Sequence, residues 1–295
     1  MEHPAKNPAE QKKPLLNAMT VDVEDYFQVS AFEKYIKRAQ WQDIPCRVEN
    51  NTNRVLEIFA EKNIKATFFV LGWVAERYPK LIRKVVDSGH ELASHGYDHV
   101  RVTNFDKSSF YSDITTTKKI LEDISGVEVI GYRAPSYSIG ATNLWVLELL
   151  EEAGYRYSSS IYPIKHDLYG MPDSPRFAFR PNKKNGKKTA FIEIPVTTTR
   201  LLGKNFPCGG GGYFRLLPYF WSKYAIGRVN RKDKEPAIFY FHPWEIDPEQ
   251  PQQHNISLKT KVRHYTNLKK MENRLKILLD DFVWGRVDSI YLERT

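Results

Sequence analysis

Short apolar runs alternate with amphipathic segments along most of the chain. Leu15–Val23 (LLNAMTVDV), Ala66–Leu71, Glu91–Ser94, Val129–Arg133, Phe191–Pro195, Ala237–Phe241 and a last stretch near Ser289–Leu292 read as strands. They are brief, apolar and bounded by turn residues, the mark of strands buried in a sheet. Segments at about 52–62, 79–88, 106–125, 142–152, 218–230 and 264–282 carry helical spacing. Asn51 or Thr52 is placed to cap the first, and Gly89 and Gly126 close the next two. The long segment ending at Ser125 sets Phe110, Ile114, Thr117, Leu121 and Ile124 on one face.

Strands alternating with helices imply a parallel sheet with helices outside it. About seven such units favour an α/β fold built as one (β/α) barrel, complete or distorted, over an open sheet. Residues Tyr155–Tyr213 interrupt the rhythm with proline, glycine and polar residues and read as loops inserted in that domain. A polar N-terminal tail (1–14) precedes a single domain over 15–295.

Composition adds little except in charge. With 41% hydrophobic and 27% charged residues in 295, the chain has the balance of a soluble globular protein. Its longest apolar stretch, Ala66–Ala75, is too short to span a bilayer. The opening MEHPAKNPAEQKKPLLN lacks the apolar core of an export signal, so the expected location is cytoplasmic, with peripheral contact at the inner membrane face as an option. Cys46 and Cys208 form no metal or redox pattern and read as free thiols. The net charge of +9 comes with no nucleic-acid-binding module. The cluster Lys183–Lys188 (KKNGKK) reads as a solvated hairpin tip, or else as a contact for acidic glycan or anionic lipid.

Four polar clusters fall where strands end, the place at which parallel barrels gather their chemistry. Asp22-Val23-Glu24-Asp25 crowds three carboxylates, which repel unless a cation or an arginine sits among them. His95 and His99, in SHGYDH, are spaced to aim two imidazoles at one point; His90, before the strand, is structural. Two histidines and one carboxylate make a catalytic metal site with open positions. Arg133, in RAPSY, can hold a carboxylate ionised, and Pro135 leaves the Ser136 N–H free to face the site. His242, in FHPWE, is presented by an apolar strand and suits a general acid.

The ordered set TVDVED, SHGYDH, RAPS and FHPWE resembles the polysaccharide deacetylases of carbohydrate esterase family 4, the NodB-homology group. Longer stretches such as VDVEDYFQVSAF, CGGGGYFRLLPY and RHYTNLKKMENRL are similar to deacetylases associated with exosortase-type exopolysaccharide systems. The resemblance implies a distorted barrel and a divalent cation, Zn2+ foremost, held by a carboxylate, His95 and His99. It also implies Asp22 as base, Arg133 orienting it, His242 as acid and the Ser136 N–H as an oxyanion donor. The substrate would be an N-acetylated glycan or its lipid-linked precursor.

Two positions depart from the family pattern. Val23 separates Asp22 from Glu24, and strand alternation puts those two on one side, favouring Glu24 as ligand with Asp25 the alternative. The segment that usually tunes the acid histidine reads Tyr157-Ser158-Ser159-Ser160, leaving Glu245 or Asp247 to substitute. Competing readings are a glycosidase using Asp22 and Glu24, a cyclic-amide hydrolase of the same fold, and an inactive carbohydrate-binding homologue.

Overall fold

A computed structural model describes residues 14–166, 169–182 and 189–293. The expected N-terminal tail and the Lys183–Lys188 cluster lie outside the described residues. In chain order the elements are β1 (Leu16–Val23), α1 (Val48–Glu61), β2 (Thr67–Val70), α2 (Gly72–Arg77), α3 (Pro79–Asp87), β3 (Glu91–Ser94), α4 (Lys107–Ser125) and β4 (Gly131–Tyr132). There follow α5 (Val146–Glu152), β5 (Tyr157–Ser158), β6 (Ile192–Glu193), β7 (Thr198–Leu201), β8 (Lys204–Pro207), α6 (Gly211–Leu216) and α7 (Tyr219–Arg228). The last are β9 (Ile238–Phe241), α8 (Leu258–Tyr265), α9 (Leu268–Asp281), β10 (Val283–Gly285) and α10 (Val287–Tyr291).

β1 is the organising strand. All but the first of its eight residues are buried, so it carries an apolar run and lies mid-sheet. Ala18 pairs with both Ile238 and Gly285, and Thr20 with both Tyr240 and Thr67. One edge of β1 is therefore taken by β9; the other is shared by β10 along its first half and β2 along its second. From β2 the parallel sheet continues through β3, β4, β5 and β6. It curls into a half-barrel. Between β6 and β9 a loop strand spans the gap: Ile238 N donates to Thr197 Oγ1 (2.6 Å) and Tyr240 N to the Gly209 carbonyl (2.8 Å). The antiparallel hairpin β7–β8 projects from this seam.

The sequence pattern located most elements, and the differences have physical causes. α1 begins at Val48, earlier than Asn51 or Thr52 would cap it, because the Asp25 carboxylate accepts the N–H groups of Arg47 (2.6 Å) and Val48 (2.9 Å) from across the fold. The single helix expected over 264–282 is two, broken at Asn267, whose φ of 58° is left-handed. The strand expected near Ser289–Leu292 is instead helix α10, and the edge strand is β10 just before it. The first N–H groups of α10 find acceptors on other strands: Val287 N on Thr67 Oγ1 (2.8 Å) and Asp288 N on Glu91 Oε2 (3.1 Å). Val287 and Ile290, one helical turn apart, then pack with Ala18 and Phe69 under the sheet. β5, within the stretch read as loops, is only two residues long. Cys46 and Cys208 are both free.

Candidate active site

The C-terminal ends of β1, β3, β4 and β9 converge, and each delivers one of the four polar clusters. Asp22 lies on β1 with one oxygen 2.6 Å from Arg133 Nη1. Its other oxygen faces the Tyr137 hydroxyl (3.4 Å) and His242 Nε2 (3.9 Å). Arg133 is wholly buried and fully engaged. Its Nη1 also donates to Thr20 Oγ1 (2.8 Å), and Nε and Nη2 donate to the carbonyl and hydroxyl of Ser159 (both 3.0 Å). The guanidinium lies over the Phe69 ring, 4.0 Å from its centre. Burial alone would lower the Arg133 pKa, but the neighbouring Asp22 more than offsets it, so the guanidinium stays charged.

Beside this pair, Glu24, His95 and His99 bring one ligand atom each to within 4.8 Å of one another. His95 Nδ1 is 2.9 Å from the Arg133 carbonyl, which can only accept; that nitrogen therefore carries the proton, and the lone pair of a neutral ring sits on Nε2. Burial pushes His95 down to about 4, so the ring is neutral at ordinary pH. Glu24 Oε2 is buried with no hydrogen-bond donor aligned on it, although His99 Nε2 lies 2.9 Å away. Burial raises the Glu24 pKa, and His99 and His242 outweigh it, so the carboxyl lies well below the usual range. An ionised carboxylate and two imidazoles, His95 neutral and nearly inaccessible to water like Glu24, fit a zinc-type cation.

On the far side of Glu24 stands His242, its Nε2 2.9 Å from Glu24 Oε1. Its Nδ1 donates to Glu245 Oε1 (2.8 Å), and Glu245 Oε2 is held by the buried Arg215 (2.6 Å). Burial would depress His242, but Glu24 and Glu245 overcome it and raise it to about 10. Burial would likewise raise Glu245, yet Arg215 and His242 bring it down to about 2. The imidazole also stacks on Trp244 (5.3 Å between centres), which stacks on His264 (4.2 Å).

Of the expected residues, Asp22, Glu24, His95, His99, Arg133 and His242 are brought together. Asp25 is directed away: its oxygens take the N–H groups of Tyr26, Arg47 and Val48. Between the two substitutes for the histidine partner, Glu245 occupies the place. Asp247 is bound instead to Arg47 (3.0 Å) and Asn51 (3.2 Å). Ser136 lies in a turn where it and Tyr137 both have positive φ (56° and 51°), and its hydroxyl bonds that of Ser30.

Sequence reasoning missed Arg215 and Ser159. Nothing in their local patterns marks them, since each acts only through a partner remote in sequence. The glycine run before Arg215 has its own cause. A Cβ on Gly211 would lie 2.3 Å from Glu245 Oε1, and one on Gly209 2.4 Å from the Ile238 carbonyl. The run lets the backbone pass directly against β9 and the carboxylate behind His242.

Comparison with known proteins finds likeness over parts of the chain. Residues 40–158 match the polysaccharide deacetylase family model, and residues 159–292 match a domain of unknown function (DUF3473). A peptidoglycan-N-acetylglucosamine deacetylase of Bacillus cereus is 30% identical over 98 residues, 33% of this chain and 36% of that protein. PgdA, a peptidoglycan-N-acetylglucosamine deacetylase of Listeria monocytogenes, is 35% identical over 97 residues, 33% of this chain and 20% of that protein. The chain thus spans about a third or less of the length of these curated relatives. A solved Mycobacterium smegmatis structure assigned as a polysaccharide deacetylase superposes with a TM-score of 0.63 at 20% identity, covering 95% of this chain and 93% of that one. The half-barrel is thus a NodB-type fold, and over residues 40–158 the chain is similar to the polysaccharide deacetylases. His95, His99, Arg133 and Ser136 fall within the deacetylase match; Asp22 and Glu24 precede it, and His242 lies in the other.

Proposed function

We propose that this chain removes N-acetyl groups from amino sugars of a polysaccharide or its precursor, in the manner suggested by the names of its relatives. The observation that carries the reading is the convergence of Glu24, His95 and His99 beside an Asp22–Arg133 pair and a protonatable His242. Glu24, His95 and His99 would hold the cation, which when bound would polarise the acetamide carbonyl and acidify a water.

The chain's own residues supply the proton traffic. Asp22, oriented by Arg133, accepts a proton on its free oxygen from the attacking water as the water oxygen bonds to the acyl carbon. The RAPS turn, pinned through Ser30, presents the Ser136 N–H to the oxygen on which negative charge develops. His242, held in its protonated form by Glu245, donates from Nε2 to the amide nitrogen as the carbon–nitrogen bond breaks. Acetate and a free amino sugar result, and the proton on Asp22 returns to His242 or to solvent. Within this reading, Zn2+ is the expected metal, and a glycan of the exosortase-associated type is the expected polymer.

The test is acetate release from N-acetylated oligosaccharides with and without chelator, beside His95→Ala. Chelator-sensitive release, lowered by roughly two to four orders of magnitude in the variant, is expected. Release that ignores both chelator and substitution would defeat the proposal. A second, fold-related substrate class is checked in the same assay: an allantoinase superposes with a TM-score of 0.59 at 16% identity, so allantoin belongs among the substrates tried.

A further inference from the structure

The β7–β8 hairpin turns through Leu202 and Gly203, the two residues between the paired Leu201 and Lys204. Both have positive φ, 48° and 76°, the geometry of a tight two-residue hairpin turn in which asparagine and glycine are least strained. The first position is instead a leucine whose side chain is entirely exposed, at 101%. A bulky side chain at positive φ is strained, and here it gains no burial in return. Folding has no use for it.

The neighbouring helix carries the same signature. On α7, Phe220 is 70% and Tyr224 46% exposed. Trp221 lies between Tyr224 (6.3 Å between ring centres) and Phe206 of the hairpin (6.4 Å), and Arg228 Nη2 donates to the Arg200 carbonyl (3.3 Å). Helix and hairpin thus form one face, with an apolar and aromatic crest.

The charge on this face is predominantly positive. From Arg200 to Glu235 the chain has seven Lys and Arg besides Arg215, which is buried against Glu245, and two acidic residues. Asp233 is already paired with Arg176 (3.0 Å), as Asp281 from α9 is with Lys223 (2.7 Å). Beside the crest, a cavity of about 570 Å3 is lined by Lys165, Arg176, Arg200 and Lys204, with Asp173 its acidic member. Apolar side chains projecting from a ring of cations suit one partner above others: acyl chains accept the crest, and anionic headgroups accept the ring.

We propose that this face docks on the surface of a lipid bilayer rich in anionic headgroups. The face would rest in the interface without spanning it, and no helix among the described residues is long and apolar enough to cross a membrane. The inference does not depend on the chemistry proposed above.

Cosedimentation of the full chain with vesicles tests it, using phosphatidylcholine alone and phosphatidylcholine mixed with phosphatidylglycerol. Binding to the mixed vesicles, weakened by salt and weak on phosphatidylcholine alone, is the expected result. The exposed-residue variant Leu202→Asp/Phe220→Asp should abolish it. Arg200→Gln/Lys204→Gln should lower the partition coefficient about fivefold per charge removed. Melting temperatures of both variants should match the parent, because none of these side chains is buried.

Absence of binding to the mixed vesicles, or equal binding by parent and variants, would overturn the proposal. So would a concentration-dependent dimer that Leu202→Asp/Phe220→Asp dissolves while vesicles capture nothing, which would assign the face to a second copy of the chain. Acetate release from soluble oligosaccharides by the same variants should equal that of the parent. A chain that binds vesicles yet releases no acetate would contradict the deacetylase reading and leave this one standing.

Discussion

Under the proposed chemistry, Glu245 would set the behaviour of His242 without itself meeting the substrate. It is anchored by Arg215 and accepts the Nδ1 proton of His242. Glu245→Gln removes a negative charge that favours the imidazolium, so the His242 pKa must fall. An acid catalyst works only while protonated; the alkaline limb of the pH–rate profile should therefore move to lower pH, while KM changes little. Asp25 makes the contrasting case. Asp25→Ala should cost roughly 1–2 kcal/mol through the lost cap of α1, read as a lower melting temperature, with bound-metal content unchanged. Loss of metal instead would restore Asp25 to the ligand set. At this scale the sequence was legible wherever residue type is itself the signal: Asp22, the two histidines four apart, Arg133, His242. It was silent on Arg215 and Ser159, which any surface arginine or loop serine resembles until the fold closes around them.

Elements were legible where their own periodicity decides them. α4 keeps Phe110, Ile114, Thr117 and Leu121 buried, starts at its Asp106 cap and ends at Gly126, whose φ is 73°. Where an element depends on distant partners, local pattern misled. α1 takes its cap from Asp25, and α10 takes its first acceptors from Thr67 and Glu91, neither of which a local window contains. The glycine run Gly209–Gly212, which leads into the first turn of α6, is a similar case, since low complexity looks like a slack loop while the structure uses it for close packing. Gly211→Ala tests that role. The added methyl must displace the Glu245 carboxylate, and kcat should fall about tenfold or more by disturbing the acid. A variant with parental kcat would show that the helix can yield without moving Glu245.

Two buried groups away from the metal-type cluster, His90 and Glu193, carry opposed pH sensitivities. His90 is buried with Nδ1 accepting the Ala66 N–H (3.1 Å), and burial lowers it to about 4 from an unfolded value near 6.5. As pH falls from 6.5 toward 4 the unfolded chain gains a proton that the folded one does not, so stability declines over that window. Glu193, buried on β6 with one oxygen accepting the Ser160 and Ile161 N–H groups (both 2.8 Å), is raised by burial to about 7 from 4.5. Its contribution runs the other way, full below 4.5 and lost as pH rises through 7. Melting curves across pH should show His90→Gln flattening the acid side and Glu193→Gln the neutral side. The barrel itself was legible from alternation alone; its open seam was not, since that depends on two-residue strands and a loop spanning the gap. The arrangement around β1 has a consequence for synthesis. Its partners β9 and β10 follow the rest of the sheet in the chain, and Asp22 and His242 stand 220 positions apart. A ribosome-bound fragment ending before β9 therefore has neither a finished sheet nor His242, so the chemistry proposed above would have to wait until β9 emerges.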